Sequence, residues 1–190
     1  MITIASAFGQ TEDNKIPDKE MFTRILQRSK IQYDPPKEYE QLYIGQNAQI
    51  EMILLTASWH QLKASKDSLF VYFTALEIDT TKASAEKLKK FGLYSDPNKN
   101  YLKTNSDTLS YPVKYDPRDF TLKKYSADRS GTFDLSLPKR YKNEYTFCKV
   151  LFIHKDDRAD IKLFFFYNSI DPDKLEKHIK RIADHIKFKG

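Results

Sequence analysis

Two runs near the C-terminal end decide the fold: Tyr145-Thr-Phe-Cys-Lys-Val-Leu-Phe-Ile153 and Ile161-Lys-Leu-Phe-Phe-Phe-Tyr167. Both are dense in β-branched and aromatic residues, which fit a pleated, half-buried surface. The charged link between them, His154-Lys-Asp-Asp-Arg-Ala-Asp160, supplies turn-forming aspartates, so the pair predicts a β-hairpin. Asp171-Pro172 then predicts a helix start, because Asp accepts from unpaired backbone N–H groups and proline suits the first turn. Leu175, Ile179, Ile182 and Ile186 would form its apolar face. Asp171, Asp173 and Glu176 at its start, with Lys187 and Lys189 at its end, suit the helix dipole. A hairpin with a helix folded back on it is the expected anchor of the core.

Outward from that anchor, Pro17-Asp18 opens a helix with Met21, Phe22, Ile25 and Leu26 on one face, which stops before Tyr33-Asp-Pro-Pro36 because a residue preceding proline disfavours the helical region. Lys37–Tyr43 fits either helix or strand. Ile50–Ala57, either ending there or running on through Trp59 to Leu62, and Leu69–Leu76 read as an earlier hairpin joined through Lys63–Ser68. A short helix is expected over Ser84–Phe91, capped by Gly92, with Leu88 and Phe91 buried. Phe120–Tyr125 and Thr132–Leu137 read as shorter strands joined by Ala127–Gly131. The sum is one α+β domain: a mostly antiparallel sheet of about five to seven strands carrying an N-terminal helix, a short middle helix and a C-terminal helix. The order of elements resembles the PsbP/Mog1-like α/β/α sandwiches. That resemblance rests on arrangement alone and brings no site residues with it.

The totals limit function. At 190 residues one domain is expected, and 40% apolar with 14% aromatic residues is enough for a packed core. The five glycines stand far apart, so no loop can bring several Cβ-free backbone N–H groups onto a phosphate. The net charge of +6 is uneven: residues 1–81 hold eight Lys/Arg against eleven Asp/Glu, and residues 82–190 hold twenty-four against fifteen. Such a bias can mark an anionic partner, but the acids are interleaved, which fits a solvated surface better and weighs against nucleic acid. Ala5-Ser-Ala7 follows the small-x-small pattern before signal-peptidase cleavage. Residues 1–10 are therefore read as a signal-peptide remnant, residues 11–190 as the domain, and the location as secreted or periplasmic. The competing reading is a cytoplasmic chain beginning with a strand or tail. No stretch reaches the ~20 apolar residues of a membrane-spanning helix.

Catalytic patterns are sparse. The acidic link beside His154 lacks the glycine and spacing of a calcium loop, and Lys155 and Arg158 offset its charge, so it reads as a structural turn. His178 and His185 would stand ~10 Å apart along a helix, too far to share an ion. Cys148 is the one cysteine, on the strand side of Val150 and Phe152, and reads as a small core residue. No G-x-S-x-G nucleophile elbow occurs.

What stands out is tyrosine. Seven fall within residues 94–145, interspersed with Lys99, Lys103, Lys114, Arg118 and further bases. Tyrosine offers a flat apolar face with a polar tip, suited to stacking on a ligand while staying wet. The expected function is non-catalytic binding through Tyr94, Tyr101, Tyr111, Lys114, Tyr115, Arg118 and Tyr125, with Trp59 and His60 as a further aromatic pair. The partner would be a protein, a glycan or another anionic ligand, with no cofactor or metal. The alternatives are a cytoplasmic binder of nucleic acid or another anion, and a hydrolase using His60, Asp128 and His154.

Overall fold

The hairpin is where the sequence places it, and longer. In the computed structural model, which describes residues 18–43, 60–64, 67–90, 94–102, 112–135, 137 and 145–190, strands β7 (Phe147–Lys155) and β8 (Ala159–Tyr167) pair antiparallel from Phe147↔Tyr167 to Lys155↔Ala159. Only Asp156–Arg158 remain as the link, closed by the Arg158 N–H donating to the Lys155 carbonyl at 3.1 Å. Asp157 takes a left-handed φ of 56°, which Asp tolerates better than most residues.

The other elements in chain order are α1 (Asp18–Arg28), β1 (Ile31–Tyr33), β2 (Tyr39–Tyr43), β3 (His60–Ala64), β4 (Leu69–Glu77), α2 (Lys82–Lys90), a 3₁₀ turn (Pro97–Lys99), β5 (Lys114–Tyr115), α3 (Arg118–Tyr125), β6 (Arg129–Leu135), α4 (Pro172–Ala183) and β9 (Ile186–Phe188). Seven strands form an antiparallel sheet in the order β2-β3-β4-β8-β7-β6-β5, and β1 pairs with β9 in a separate two-stranded ribbon. The chain is an α+β single-domain fold.

Strand β8 is the sheet's centre and is buried on both faces, which is why 163–167 shows a continuous apolar run rather than alternation. One face, carrying Ile161, Leu163 and Phe165, is covered by Phe22 of α1, by Leu175, Ile179 and Ile182 of α4, and by Ile31, Ile186 and Phe188 of the ribbon. The opposite face carries Phe164 and Phe166 and joins them to Tyr72, Phe133, Val150, Phe152 and the buried Cys148. Every apolar helical residue buried among the described ones lies in the first layer, so α1, α3 and α4 sit on that side of the sheet. Fully burying one such Leu, Ile or Phe contributes roughly 1.5–3 kcal/mol.

Several expectations are corrected. Helix α4 starts as read, Asp171 Oδ1 accepting from the N–H groups of Asp173 at 2.9 Å and Lys174 at 3.2 Å, but it ends at Ala183. Ile186 is buried on β9 instead, opposite Tyr33, so the ribbon takes over where the helix was expected to continue. The last-turn cations are accordingly Lys180 and Arg181, not Lys187 and Lys189. Residues 118–125 are helical rather than extended: Pro117 precedes the first turn, Thr121 and Tyr125 are buried one turn apart, and Ser126 closes the helix with a left-handed φ of 54°. The middle helix is present, but none of its residues is fully buried and Leu88 is only half-buried. Lys37–Tyr43 resolves as edge strand β2 over its last five residues. Residues 1–10, the expected strand at 50–57, Trp59, Phe91, Gly92 and Tyr111 lie outside the described residues.

Candidate functional site

The described part of the tyrosine segment docks on the turn of the β7–β8 hairpin. Asp96 caps the 3₁₀ turn, and Asn100 closes the loop by exchanging hydrogen bonds with the Tyr94 backbone, both at 3.0 Å. Asn98 then pairs reciprocally with Asp157: its amide donates to Asp157 Oδ1, and its Oδ1 accepts from the Asp157 N–H, both at 2.8 Å. This brings Tyr101 over the second sheet face. Its ring lies tilted over His154 at 4.8 Å between centroids and over Phe152 at 5.4 Å.

Tyr115 arrives from the sheet edge. Strand β5 pairs Tyr115 with Gly131 on β6, its ring meets Phe152 edge-on at 5.8 Å, and its hydroxyl stands 3.3 Å from that of Tyr101. Partial burial first, then the bond to Tyr115, pushes the Tyr101 hydroxyl up to about 12, so it stays protonated at neutral pH. Gly131 is what lets β5 approach. A methyl there would fall 2.4 Å from the Lys114 carbonyl oxygen and 2.9 Å from the Tyr115 Cα, both backbone atoms that cannot swing aside. Gly131→Ala is therefore expected to destabilise the fold by about 1–3 kcal/mol and to shift the Tyr115 ring resonances. An unchanged unfolding midpoint together with an unchanged Tyr115 spectrum would contradict this.

Beneath the tyrosines lies an ion network. His154 has no solvent exposure, and its two ring nitrogens face Asp160 Oδ1 at 2.5 Å and Asp156 Oδ1 at 2.7 Å. Where both carboxyls are ionised each can only accept, so both nitrogens donate and the ring carries the imidazolium charge. Burial opposes that charge, but the hydrogen bonds and charges of Asp160 and Asp156 outweigh it and raise the His154 pKa above its ordinary value. Arg129 donates to the same Asp156 oxygen at 2.8 Å and lies over the Tyr101 ring at 5.7 Å. Partial burial opposes the charge of Asp156 too, yet Arg129 and His154 together hold its carboxyl below the usual range. Lys155 stands 3.6 Å from Asp128, which also accepts from the Asp156 N–H. Buried Lys162 lies two residues beyond Asp160, and burial lowers its pKa against the pull of that carboxylate.

The chemistry follows from the proton count. A histidine with both nitrogens occupied offers no lone pair to a substrate, so His154 braces the tyrosines from below rather than acting as a general base. The acidic link reads correctly as a turn, but the pattern of acids does not show that Asp160 is buried. Nor does the run of tyrosines and lysines single out Arg129. The signal available for both is register: in a hairpin closed this tightly, Asp160 falls opposite His154 and Arg129 one strand further on.

The other named residues divide. Tyr94 and Tyr115 are half exposed, and Lys114 and Arg118 are exposed at and just beyond β5. Tyr125 is buried on the helical side, with its hydroxyl pKa raised chiefly by that burial. His60 is also buried, 5.0 Å from the Phe22 ring and 5.4 Å from Tyr33, on the face opposite the tyrosine pair. These two do not share the surface expected for them. Burial lowers the His60 pKa to about 4. The unfolded chain thus binds a proton that the folded chain refuses, and stability is lost as pH falls from the ordinary value near 6.5 toward about 4, by up to ~3 kcal/mol. His60→Phe is expected to flatten that slope in urea melts taken across this range; an identical slope would contradict the assignment.

A second polar chain ties the sheet's β2 side to α4. The Tyr39 hydroxyl meets His178 Nδ1 at 2.6 Å, and His178 Nε2 meets Asp67 Oδ2 at 3.1 Å. Hydroxyl, imidazole and carboxylate stand in the order of an activated nucleophile. Burial, however, pushes Tyr39 up to about 12, the reverse of activation, so the chain serves as a tie. An open groove of about 440 Å³ runs along α1 and β1, lined by Leu26, Ile31 and Tyr33 among others, and shares no residue with the tyrosine surface. Among the described residues no group of three or more His, Cys, Asp or Glu side chains is arranged to hold a metal ion, and no helix is long and apolar enough to cross a membrane.

No family model matches the chain, and neither a curated protein nor a solved structure matches it.

Proposed function

We propose that this protein works by binding rather than catalysis, through a surface centred on Tyr101 and Tyr115 with Tyr94, Lys114 and Arg118 at its margins. One observation carries the reading: two tyrosines from separate segments meet hydroxyl to hydroxyl over a histidine that is itself fully occupied. A surface held this way can stack and hydrogen-bond while its support has no proton to exchange. The partner class is a protein or glycan. Several nearby cations are already neutralised, Arg129 by Asp156, Lys155 by Asp128 and Lys99 by Asp96, which favours an uncharged contact over a phosphate backbone.

The test is an array of neutral oligosaccharides and unmodified peptides, probed with the wild type and with Tyr101→Ala/Tyr115→Ser. A ligand retained at about 0.5 M salt and lost in the double variant supports the reading. Binding seen only at low salt, or indifferent to both tyrosines, overturns it in favour of the anion-binding alternative. The exported, periplasmic location belongs to the same proposal. It is tested by mass spectrometry of the mature N-terminus, and an uncleaved cytoplasmic chain would remove it.

A further inference from the structure

The two edges of the seven-stranded sheet are protected unequally. Strand β5 is two residues long, with Pro112 before it and Pro117 after it, and so short an edge resists pairing with another chain. Strand β2 runs five residues, Tyr39–Tyr43, contains no proline, and among the described residues no strand lies beyond it. Which of its backbone groups face outward follows from parity, because alternate residues of an antiparallel strand bond to alternate neighbours. The Ile78 N–H donates to the Arg158 carbonyl at 2.9 Å, which sets the bonding residues between β4 and β8. Carried through the registers of β4 and β3, the alternation bonds Glu40 to Lys63 and Leu42 to Gln61. It turns the N–H and C=O groups of Gln41 and Tyr43 away from the sheet. The Tyr39 N–H, on the same outward parity, donates to the Pro36 carbonyl at 3.3 Å.

The side chains show what fits this edge. Glu40 and Gln41 are exposed, and Leu42 is 42% exposed although it is a large apolar residue in a strand. A second β2 laid antiparallel about a two-fold axis through Leu42 meets each demand of the edge. Gln41 and Tyr43 of one copy then fall opposite Tyr43 and Gln41 of the other, and each such pair exchanges two N–H···O bonds. Leu42 falls opposite its own copy at the non-hydrogen-bonded position, where facing side chains stand closest. Glu40 lies two residues off the axis on either side and does not meet its copy. An axis through Gln41 would instead call on the Tyr39 N–H, which Pro36 already holds, and would set Glu40 against Leu42. An axis between two residues would set outward groups against inward ones. We infer that this protein forms a two-fold symmetric dimer through β2, which joins two seven-stranded sheets into one. The inference stands independently of the Tyr101–Tyr115 reading and uses none of its residues.

Sedimentation velocity of the full chain at about 0.1 mM, and then on dilution, tests it. The wild type is expected to be dimeric at the higher concentration and to dissociate at the lower. Leu42→Lys, which sets two ammonium groups face to face, should weaken the dimer by about tenfold or more. Gln41→Pro should do likewise, since it removes an outward N–H and leaves the bonds to β3 in place. Both variants should keep the wild-type circular dichroism spectrum. Hydrogen exchange reads the same edge directly. Protection of the Gln41 and Tyr43 amides should rise with protein concentration, while the Glu40 and Leu42 amides, bonded to β3, stay protected throughout. A chain that remains monomeric at about 0.1 mM would overturn the inference. So would a dimer indifferent to both Leu42 and Gln41, which would place the interface elsewhere. Protection of the Gln41 and Tyr43 amides that does not change with concentration would also overturn it, because the edge would then be covered within one chain.

Discussion

His154→Leu is expected to cost the fold about 3–5 kcal/mol, because it removes one partner of a buried ion pair and leaves the other behind. Asp160 is only 5% exposed, and its carboxylate would lose the imidazolium that satisfies it. Buried Lys162 remains close enough to offset part of the loss, which places the effect toward the lower end of that range. Two comparisons separate this cause from loss of packing. Asp160→Asn added to His154→Leu removes the stranded charge and should recover part of the stability. Asp156→Asn, on the half-exposed carboxylate, should cost about 1 kcal/mol or less. The pH dependence carries a definite sign. The His154 pKa is raised on folding, so its contribution is complete below the ordinary histidine value and is lost as pH rises through the folded one. His60 runs the other way, losing stability as pH falls below about 6.5. The two buried histidines therefore narrow the range of greatest stability from opposite sides.

Phe152→Ala should cost about 3–5 kcal/mol, as expected for truncating a buried aromatic ring in a sheet that cannot collapse around the gap. Phe152 is 1% exposed and lies under Tyr101, Tyr115 and Phe133. Phe165→Ala makes the control. Phe165 is equally buried on the neighbouring strand, but it faces the helical layer. Both variants should lose comparable stability in chemical denaturation, and only Phe152→Ala should disturb the Tyr101 and Tyr115 ring resonances. Equal disturbance by both would mean that the tyrosine pair follows global stability, not the local floor. Phe147→Ala, half exposed at the start of the same hairpin, should cost about 1 kcal/mol or less.

The sheet was legible in the sequence wherever burial is two-sided or alternation is clean. The continuous run at 163–167 announces a central strand, and Asp171-Pro172 announces a helix start, because both signals are local. What failed was decided by distant partners. Phe120 to Tyr125 carries β-prone residues, yet it coils because Thr121 and Tyr125 find the interior one helical turn apart and Ser126 caps the end. Ile186 has helical spacing from Ile182, but pairing with β1 claims it for a strand.

The candidate surface was legible in part for the same reason. Composition pointed to Tyr101, Lys114 and Tyr115. It gave no reason to separate them from Tyr125 and His60, since exposure depends on which layer each strand or helix faces. The support beneath the tyrosines depends on cross-strand register, with Arg129, His154 and Asp160 on three adjacent strands. No motif carries that information; only the register of the tightly closed hairpin does. Asp157 shows the limit on a smaller scale: its turn role is readable, whereas its reciprocal bonds with Asn98, fifty-nine residues away, are not.

In the proposed reading His154, with Asp160 and Asp156 on its two nitrogens, is a doubly donating imidazolium beneath the tyrosine pair and not a base that serves a reaction. Its most direct test is the nitrogen-15 spectrum of the histidines in the folded protein near neutral pH. Both His154 ring nitrogens should be protonated, their N–H protons should exchange slowly with water, and the ring should titrate above the ordinary value. A neutral His154 with one bare nitrogen at pH 7, titrating at or below about 6.5, would contradict it and return His154 to the list of candidate bases.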